Sequence, residues 1–410
     1  MKIIFSSFQG INRKNELHGM TKVLMKIFEE SKIDSEIYYI GYNHSGIQYR
    51  GIKTLGPIYN SLFLLSISYL KIFSLVFNRL PNYGPVRFFQ EYFFDFFLKL
   101  KLDDKCILVS TAIAPKSFKK NSLKGGINLF IPGSPCERYI SDLLKFESQK
   151  HNIDLRDVYT YVKRINFIEE SLESVSELIT LTKIVDDSYG NYFPNLKRSC
   201  CELHVEVDNY IVKKTPKKND NILTFGYIAH TVWLKGLHYL LDAFDKISVD
   251  EARLIVAGVI DKQTHHFIEY DKLSKNIEFL GSVTNINDFY SNIDICIIPS
   301  IIDNHPTTIT ESLCSGTPVI ATNQCGSSSL IKDYINGFVV DSLNVDSLRD
   351  KINWFISNRN YVSEMSANAT NSYNSLLDNK QNQKFAYFLQ KKIEEYQIWN
   401  SKNRFNRDFS

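Results

Sequence analysis

Apolar positions along the chain gather into short unbroken runs rather than long alternations. "MKIIFSSF" at the start, "EIYYIGY" at 36–42, "KCILVSTA" at 105–112, "GINLFIPG" at 126–133 and "SELITLT" at 176–182 are of this kind. Short apolar runs bounded by glycine, proline and polar clusters predict strands buried on both faces, as in a parallel sheet. Between them, helical periodicity marks "TKVLMKIFEES" at 21–31, one long charged helix from Ile140 to about Ser176, and "DDSYGNYFP" at 186–194. A first strand, a loop holding Gly10 and Gly19, a helix and a second strand are the opening of a doubly wound α/β domain, which should close near residue 205.

After the polar linker "VKKTPKKNDN" at 212–221 a second series begins. It reads as strand "ILTFGYIA", a loop with Gly236, helix "GLHYLLDAFDKI", strand "ARLIVAGV", helix, strand "IEFLGSV", helix and strand "IDICIIPS". Then come a loop, helix "ITESLCSG", strand "PVIAT", a turn and helix, and strand "GFVV". Alternation at this pace again predicts a parallel sheet with helices on both faces. The expected architecture is α/β with two Rossmann-like doubly wound parallel-sheet domains, 1–205 and 206–380, and a ligand cleft between the carboxyl ends of their strands. Residues 381–410 supply a last long helix, about Lys380 to Trp399, expected to pack back on the first domain. A length of 410 residues agrees, since it exceeds one ordinary core.

Residues 56–100 break the rhythm, with 13 aromatics in 45 positions, punctuated by Lys71, Arg79 and Arg87. The run from Tyr59 to Phe77 approaches membrane-spanning length, but Lys71 and scattered serines interrupt it. A pair of amphipathic helices is predicted instead, either packed on the sheet or dipped into an anionic bilayer surface.

Composition adds limits. Hydrophobic residues at 44% and charged ones at 23% are ordinary for a folded globular chain and argue against disorder. The net charge of +3 is uneven, with 12 Lys and Arg against 7 Asp and Glu in residues 1–100. No dense basic run interleaved with stacking aromatics points to nucleic acid. The cysteines at 106, 136, 200, 201, 296, 314 and 325 fit no metal spacing, and Cys200 and Cys201 are adjacent. The start does not read as a signal peptide, so a reducing cytoplasm is expected, peripheral on the inner membrane face if residues 56–100 dock there.

The candidate chemistry lies in "SIIDNHPTTITESLCSGTPVIAT", 300–322. Asp303 follows an apolar strand and Glu311 comes eight residues later. A helix beginning near Thr307 or Thr308 would turn its free N–H groups and dipole toward a phosphate, with an acid on either side to accept hydroxyls. A nucleotide sugar has that layout; a solvated loop acid and a first-turn acid complementing the dipole form the bland alternative.

The stretch resembles the signature of glycosyltransferase family 4, retaining enzymes of the GT-B fold: two acids separated by seven residues, then Gly-x-Pro-Val-Ile-Ala. Here Asp303 stands for the usual first Glu. "FGYIAHTVWLKGLHYLLDAF" is similar to the family's donor-loop segment, keeping Lys235-Gly236 but with His230 in place of Arg, and "IEFLGSVTNINDFYSNIDICIIPS" matches the segment before the acids. In the first half "NELHGMTKVL" holds Gly19 where relatives carry a Gly-rich loop. "FIPGSPCERY" offers Ser134 and Cys136 where many place a histidine. "RINFIEESLESVSELITLT" resembles an Arg-to-Glu helix and a strand ending near Thr182, and Asp208 in "HVEVDNY" is expected to be structural.

The resemblance implies a retaining transferase moving a sugar from a nucleotide diphosphate to a saccharide or polyprenyl-linked acceptor in bacterial surface-polysaccharide synthesis, without a metal or other cofactor. It implies Lys235, Asp303 and Glu311 as catalytic residues, and Gly19, His230, Lys235, His305, Thr307, Thr308, Ile309 and Glu311 as donor-binding ones. Lys235 would offset charge on the leaving diphosphate, Glu311 would accept from ribose and Asp303 from the sugar. Asp103-Asp104 precede a strand rather than end one, which does not suit a metal. The competing readings are a catalytically weakened GT-B binding or scaffold subunit and, further off, a nucleotide-sugar epimerase.

Overall fold

The apolar runs form two sheets, every strand parallel to its neighbours, in a computed structural model that describes residues 2–7, 24, 27, 35–39, 52–77, 83–204, 207, 222–378 and 380–407. The chain divides into two units: Met1–Leu203 with Gln381–Ser410, and His204–Lys380.

In the first unit, β1 (Lys2–Ser7), β2 (Ser35–Tyr39), β3 (Ile52–Thr54), β4 (Cys106–Ser110), β5 (Ile127–Phe130), β6 (Glu177–Thr180) and β7 (Arg198–Cys200) take the order β3-β2-β1-β4-β5-β6-β7. Successive side chains of a strand face opposite sides. Ile3 and Phe5 therefore meet Phe385, Leu389 and Ile393 of the last helix on one face. Ile4 meets Tyr59, Phe94 and Leu98 on the other. Those three belong to α1 (Pro57–Phe77) and α2 (Tyr83–Lys101), the helices of the aromatic stretch. Among the described residues no helix is long and apolar enough to cross a membrane.

One expectation needs correcting in this unit, and two strands went unforeseen. The single helix from Ile140 to Ser176 is two, α4 (Glu137–His151) and α5 (Val162–Leu172), with α3 (Pro115–Leu123) before them. Asn152 ends α4 in the left-handed region at φ 51°, and Asp157 then caps a short turn through the N–H of Tyr159. Strands β3 and β7 were unforeseen; Asp208, expected to be structural, lies outside the described residues. So do Gly19 and most of the helix expected at 21–31. Helix α6 (Lys183–Tyr192) is capped by Thr182, whose hydroxyl accepts from Val185 N.

In the second unit, β8 (Leu223–Ile228), β9 (Ala252–Ala257), β10 (Ile277–Gly281), β11 (Ile295–Ile298), β12 (Val319–Thr322) and β13 (Gly337–Val340) are ordered β10-β9-β8-β11-β12-β13. Chain order reverses between β8 and β11, and ligands of open α/β sheets bind outside the carboxyl ends of such strands. Helices α7 (Leu237–Phe244), α8 (Lys262–Phe267), α9 (Ile286–Asn292) and α10 (Thr307–Ser315) join the strands; α11 (Val345–Ser357) and α12 (Tyr361–Asp378) follow them. The helix expected between β12 and β13 is only a 3-10 turn at Ser328–Leu330. Asn336 stops it, its side chain accepting from Lys332 N at 2.7 Å and donating to Leu330 O at 3.0 Å. The last helix, α13 (Gln381–Arg407), returns to the first unit.

Candidate functional site

The exits of β8 and β11 are stitched together by backbone. After β8 the chain passes the exposed His230 and makes a 3-10 turn, Trp233–Lys235, whose Leu234 carbonyl accepts from Ile301 N at 2.8 Å. Gly236 then opens α7 at φ +67°, and a Cβ built there would stand 2.0 Å from the Pro299 carbonyl oxygen. Only glycine admits that approach, so the Lys-Gly pair is a packing requirement as well as a chemical one.

This packing delivers Lys235 to Asp303, and the Lys235 ammonium forms an ion pair with Asp303 Oδ2. Asp303 is fixed from the other side: its N–H donates to Gln324 O at 3.0 Å and its carbonyl accepts from Gly326 N at 2.8 Å. Burial would lower the Lys235 ammonium, but Asp303 beside it outweighs burial and holds it above the ordinary lysine value. Lys235 and Asp303 are thus each other's partner, a pairing the motif alone does not reveal.

Helix α10 begins at Thr307 behind Pro306, and no side chain caps it. Its first N–H groups, at exposed Thr307 and half-buried Thr308, lack acceptors within the helix. Ile309 does not serve as expected: its side chain is buried in the core and its N–H donates to Pro306 O at 3.0 Å. Glu311 is half-buried one turn on. Burial pushes its carboxyl above the usual range, against hydrogen bonds from Tyr290 and Thr307 that pull it down. His305 is half-buried near His204, whose imidazole is lowered to about 4 by burial first and by His305 second.

In the first unit, Ser134 donates to Glu137 Oε1 at 3.1 Å, and Cys136 is buried with its N–H on Ser188 Oγ. Arg164, which opens the segment read as an Arg-to-Glu helix, is buried between Glu91 and Glu137, at 2.8 and 3.0 Å. It ties α2, α4 and α5 together. Sequence reasoning missed Tyr290, whose hydroxyl donates to Glu311 Oε2 at 3.0 Å. The available signal was a polar-tipped aromatic in "NDFYSN" five residues before β11, which also suits plain core packing.

Residues 208–372, within the second unit, match the family model described as Glycosyl transferases group 1. The chain is 25% identical over 211 residues to an uncharacterised glycosyltransferase of Methanocaldococcus jannaschii, covering 51% of this chain and 57% of that protein. It is 26% identical over 160 residues to the GalNAc-α-(1→4)-GalNAc-α-(1→3)-diNAcBac-PP-undecaprenol α-1,4-N-acetyl-D-galactosaminyltransferase of Campylobacter jejuni, covering 37% of this chain and 43% of that one. The chain thus spans about half the length of these relatives. A crystal structure of Anabaena HepE in complex with UDP and glucose superposes with a TM-score of 0.59 at 15% identity, over 95% of this chain and 99% of that one, a likeness of fold.

Proposed function

We propose that the protein is a retaining glycosyltransferase that moves a sugar from a nucleotide-diphosphate sugar to a saccharide or lipid-linked acceptor in surface-polysaccharide synthesis. The observation that carries this reading is the convergence of Lys235, Asp303 and the uncapped start of α10 at the carboxyl ends of β8 and β11, with Glu311 one turn inside the helix. The relatives' names and the two acids with seven residues between them support it.

In the proposed reaction the bond between the anomeric carbon and the phosphate oxygen breaks, and its electron pair stays on the diphosphate. Lys235 and the N–H groups of Thr307 and Thr308 offset that charge where it develops. The acceptor hydroxyl attacks the same face and its proton passes to a phosphate oxygen, so nucleoside diphosphate and the glycoside are the products and no protein nucleophile is needed. Glu311 accepts from the ribose and Asp303 from the donor sugar.

The test is donor consumption by the full chain with UDP-, GDP-, ADP- and dTDP-sugars and saccharide or undecaprenyl-linked acceptors. Lys235→Ala is expected to lower kcat by about 100-fold or more, and Glu311→Ala to raise the donor KM by about tenfold or more. A wild-type chain that binds a nucleotide sugar yet releases no nucleoside diphosphate with any acceptor would be a binding subunit, and the proposal fails. We further propose that the first unit rests on an anionic membrane surface through α1 and α2.

A further inference from the structure

Tyr290 lies on α9 with 1% of its surface exposed, its ring packed among Phe289, Ile293, Ile309 and Leu313. A phenol this deep is costly unless its hydroxyl finds a partner. Its hydroxyl lies 3.0 Å from Glu311 Oε2 and 3.5 Å from the Thr308 carbonyl, with the Ser312 hydroxyl also beside it, and the Glu311 contact is the one with normal hydrogen-bond length. The hydroxyl is therefore committed to a carboxylate from another helix, 21 residues along the chain.

We propose that Tyr290 is a positioning residue for donor recognition, holding Glu311 Oε2 from behind so that the carboxylate presents its other oxygen to the ribose hydroxyls. This rests on the reading of Glu311 as the ribose acceptor. A glutamate has three side-chain torsions, and ordering them at the moment of binding would weaken the grip on the donor. A charge-assisted hydrogen bond from a hydroxyl locked in the core removes that cost in advance. If Tyr290 only filled volume, phenylalanine would serve equally, since it keeps the ring.

The titratable and polar groups that face Glu311 are Tyr290 from α9, Cys296 from β11 and Thr307 from its own helix. Burial raises the Glu311 carboxyl, and the phenol is the first of the hydrogen bonds that oppose it. Losing the phenol lets the carboxyl rise further, and the ionised carboxylate is the form that accepts from the ribose. The acid limb of donor use must then move to higher pH.

The experiment uses the full chain and whichever sugar of the UDP, GDP, ADP and dTDP panel wild type consumes fastest. Tyr290→Phe is expected to raise the donor KM by about tenfold with kcat little changed. Its kcat/KM profile, which reports the free enzyme, should move its acid limb upward. Adding Tyr290→Phe to Glu311→Ala should cost nothing more, because the partner is already gone. Placing 3-fluorotyrosine at 290, a more acidic phenol and a stronger donor, should move the limb downward, and it keeps the ring should the phenylalanine variant fail to fold. An acid limb unmoved by either substitution, or additive losses in the double variant, overturns the positioning role alone. A wild-type chain that consumes no sugar of the panel overturns the functional reading and this inference with it.

Discussion

A diphosphate entering the second unit competes with Asp303 for a single ammonium, because Lys235 is already paired. Both groups are anionic, so Asp303 opposes the phosphates twice, by repelling them and by holding the cation they need. A sugar whose hydroxyls donate to Asp303 offsets that opposition, since the acid gains new partners as it releases the lysine. In the proposed reaction the pair would thus couple recognition of the sugar to recognition of the diphosphate. Asp303→Asn is expected to bind nucleoside diphosphate about tenfold more tightly, about 1.4 kcal/mol, while turnover of the nucleotide sugar falls by about tenfold or more. Calorimetry with the diphosphate alongside initial rates checks this; diphosphate affinity that drops in the variant would show that the pair is not a competitor. None of this was visible in the motif, which supplies residue types and spacing but not the Gly236 packing that sets the lysine against the acid.

At the scale of elements, the docking of α13 depends on one buried acid. Glu177, fully buried in β6, accepts from Tyr396 at 2.8 Å and pairs with Lys392 and Lys197 at 2.8 and 2.9 Å. Burial alone would raise its carboxyl, but hydrogen bonds from Lys392, Ser199, Lys197 and Tyr396 outweigh burial and hold it at about 2. A carboxylate lowered on folding stabilises above its unfolded value near 4.5, and that contribution is lost as pH falls toward the folded value. From those two values Glu177 contributes about 3 kcal/mol at pH 7 and about 1 kcal/mol at pH 3. In urea unfolding, Glu177→Gln should therefore destabilise the first unit markedly at pH 7 and much less at pH 3; an equal loss at both would refute the charge-based anchor. The strands other than β3 and β7, and the start of α10, were legible because double-sided burial and turn residues leave marks within a few positions. The break at Asn152, the stop set by Asn336 and the partnership of Tyr290 with Glu311 were not, because each depends on a left-handed backbone or on a contact that local periodicity does not encode.

For the whole molecule, what remains exposed on α1 and α2 bears on where the protein works. Leu65, Tyr69, Ile72 and Val76 form an exposed apolar stripe along α1, and Phe89, Tyr92, Phe96 and Leu100 form another on α2. Both acids of these helices are buried: Glu91 is held by Arg87 and Arg164, and Asp95 caps α3 through Lys116 N and Ser117 N. Arg87 is therefore spent on Glu91, whereas Lys71, Lys99 and Lys101 are exposed. An apolar stripe edged by lysines and stripped of surface acid suits an anionic bilayer, where burial of the stripe adds to about 1 kcal/mol for each lysine near the surface. The chain is expected to float with vesicles of phosphatidylglycerol and phosphatidylethanolamine and to remain behind with phosphatidylcholine alone. Leu65→Glu with Ile72→Glu should abolish flotation, because both side chains are more than half exposed, at 64% and 60%, and their replacement leaves the core untouched. Lys71→Glu with Lys99→Glu and Lys101→Glu should weaken it most at low salt, where anionic lipid is least screened. Flotation unchanged in both variants would mean that the chain meets lipid through another surface and would refute α1 and α2 as the docking face, leaving the donor chemistry of the second unit untouched.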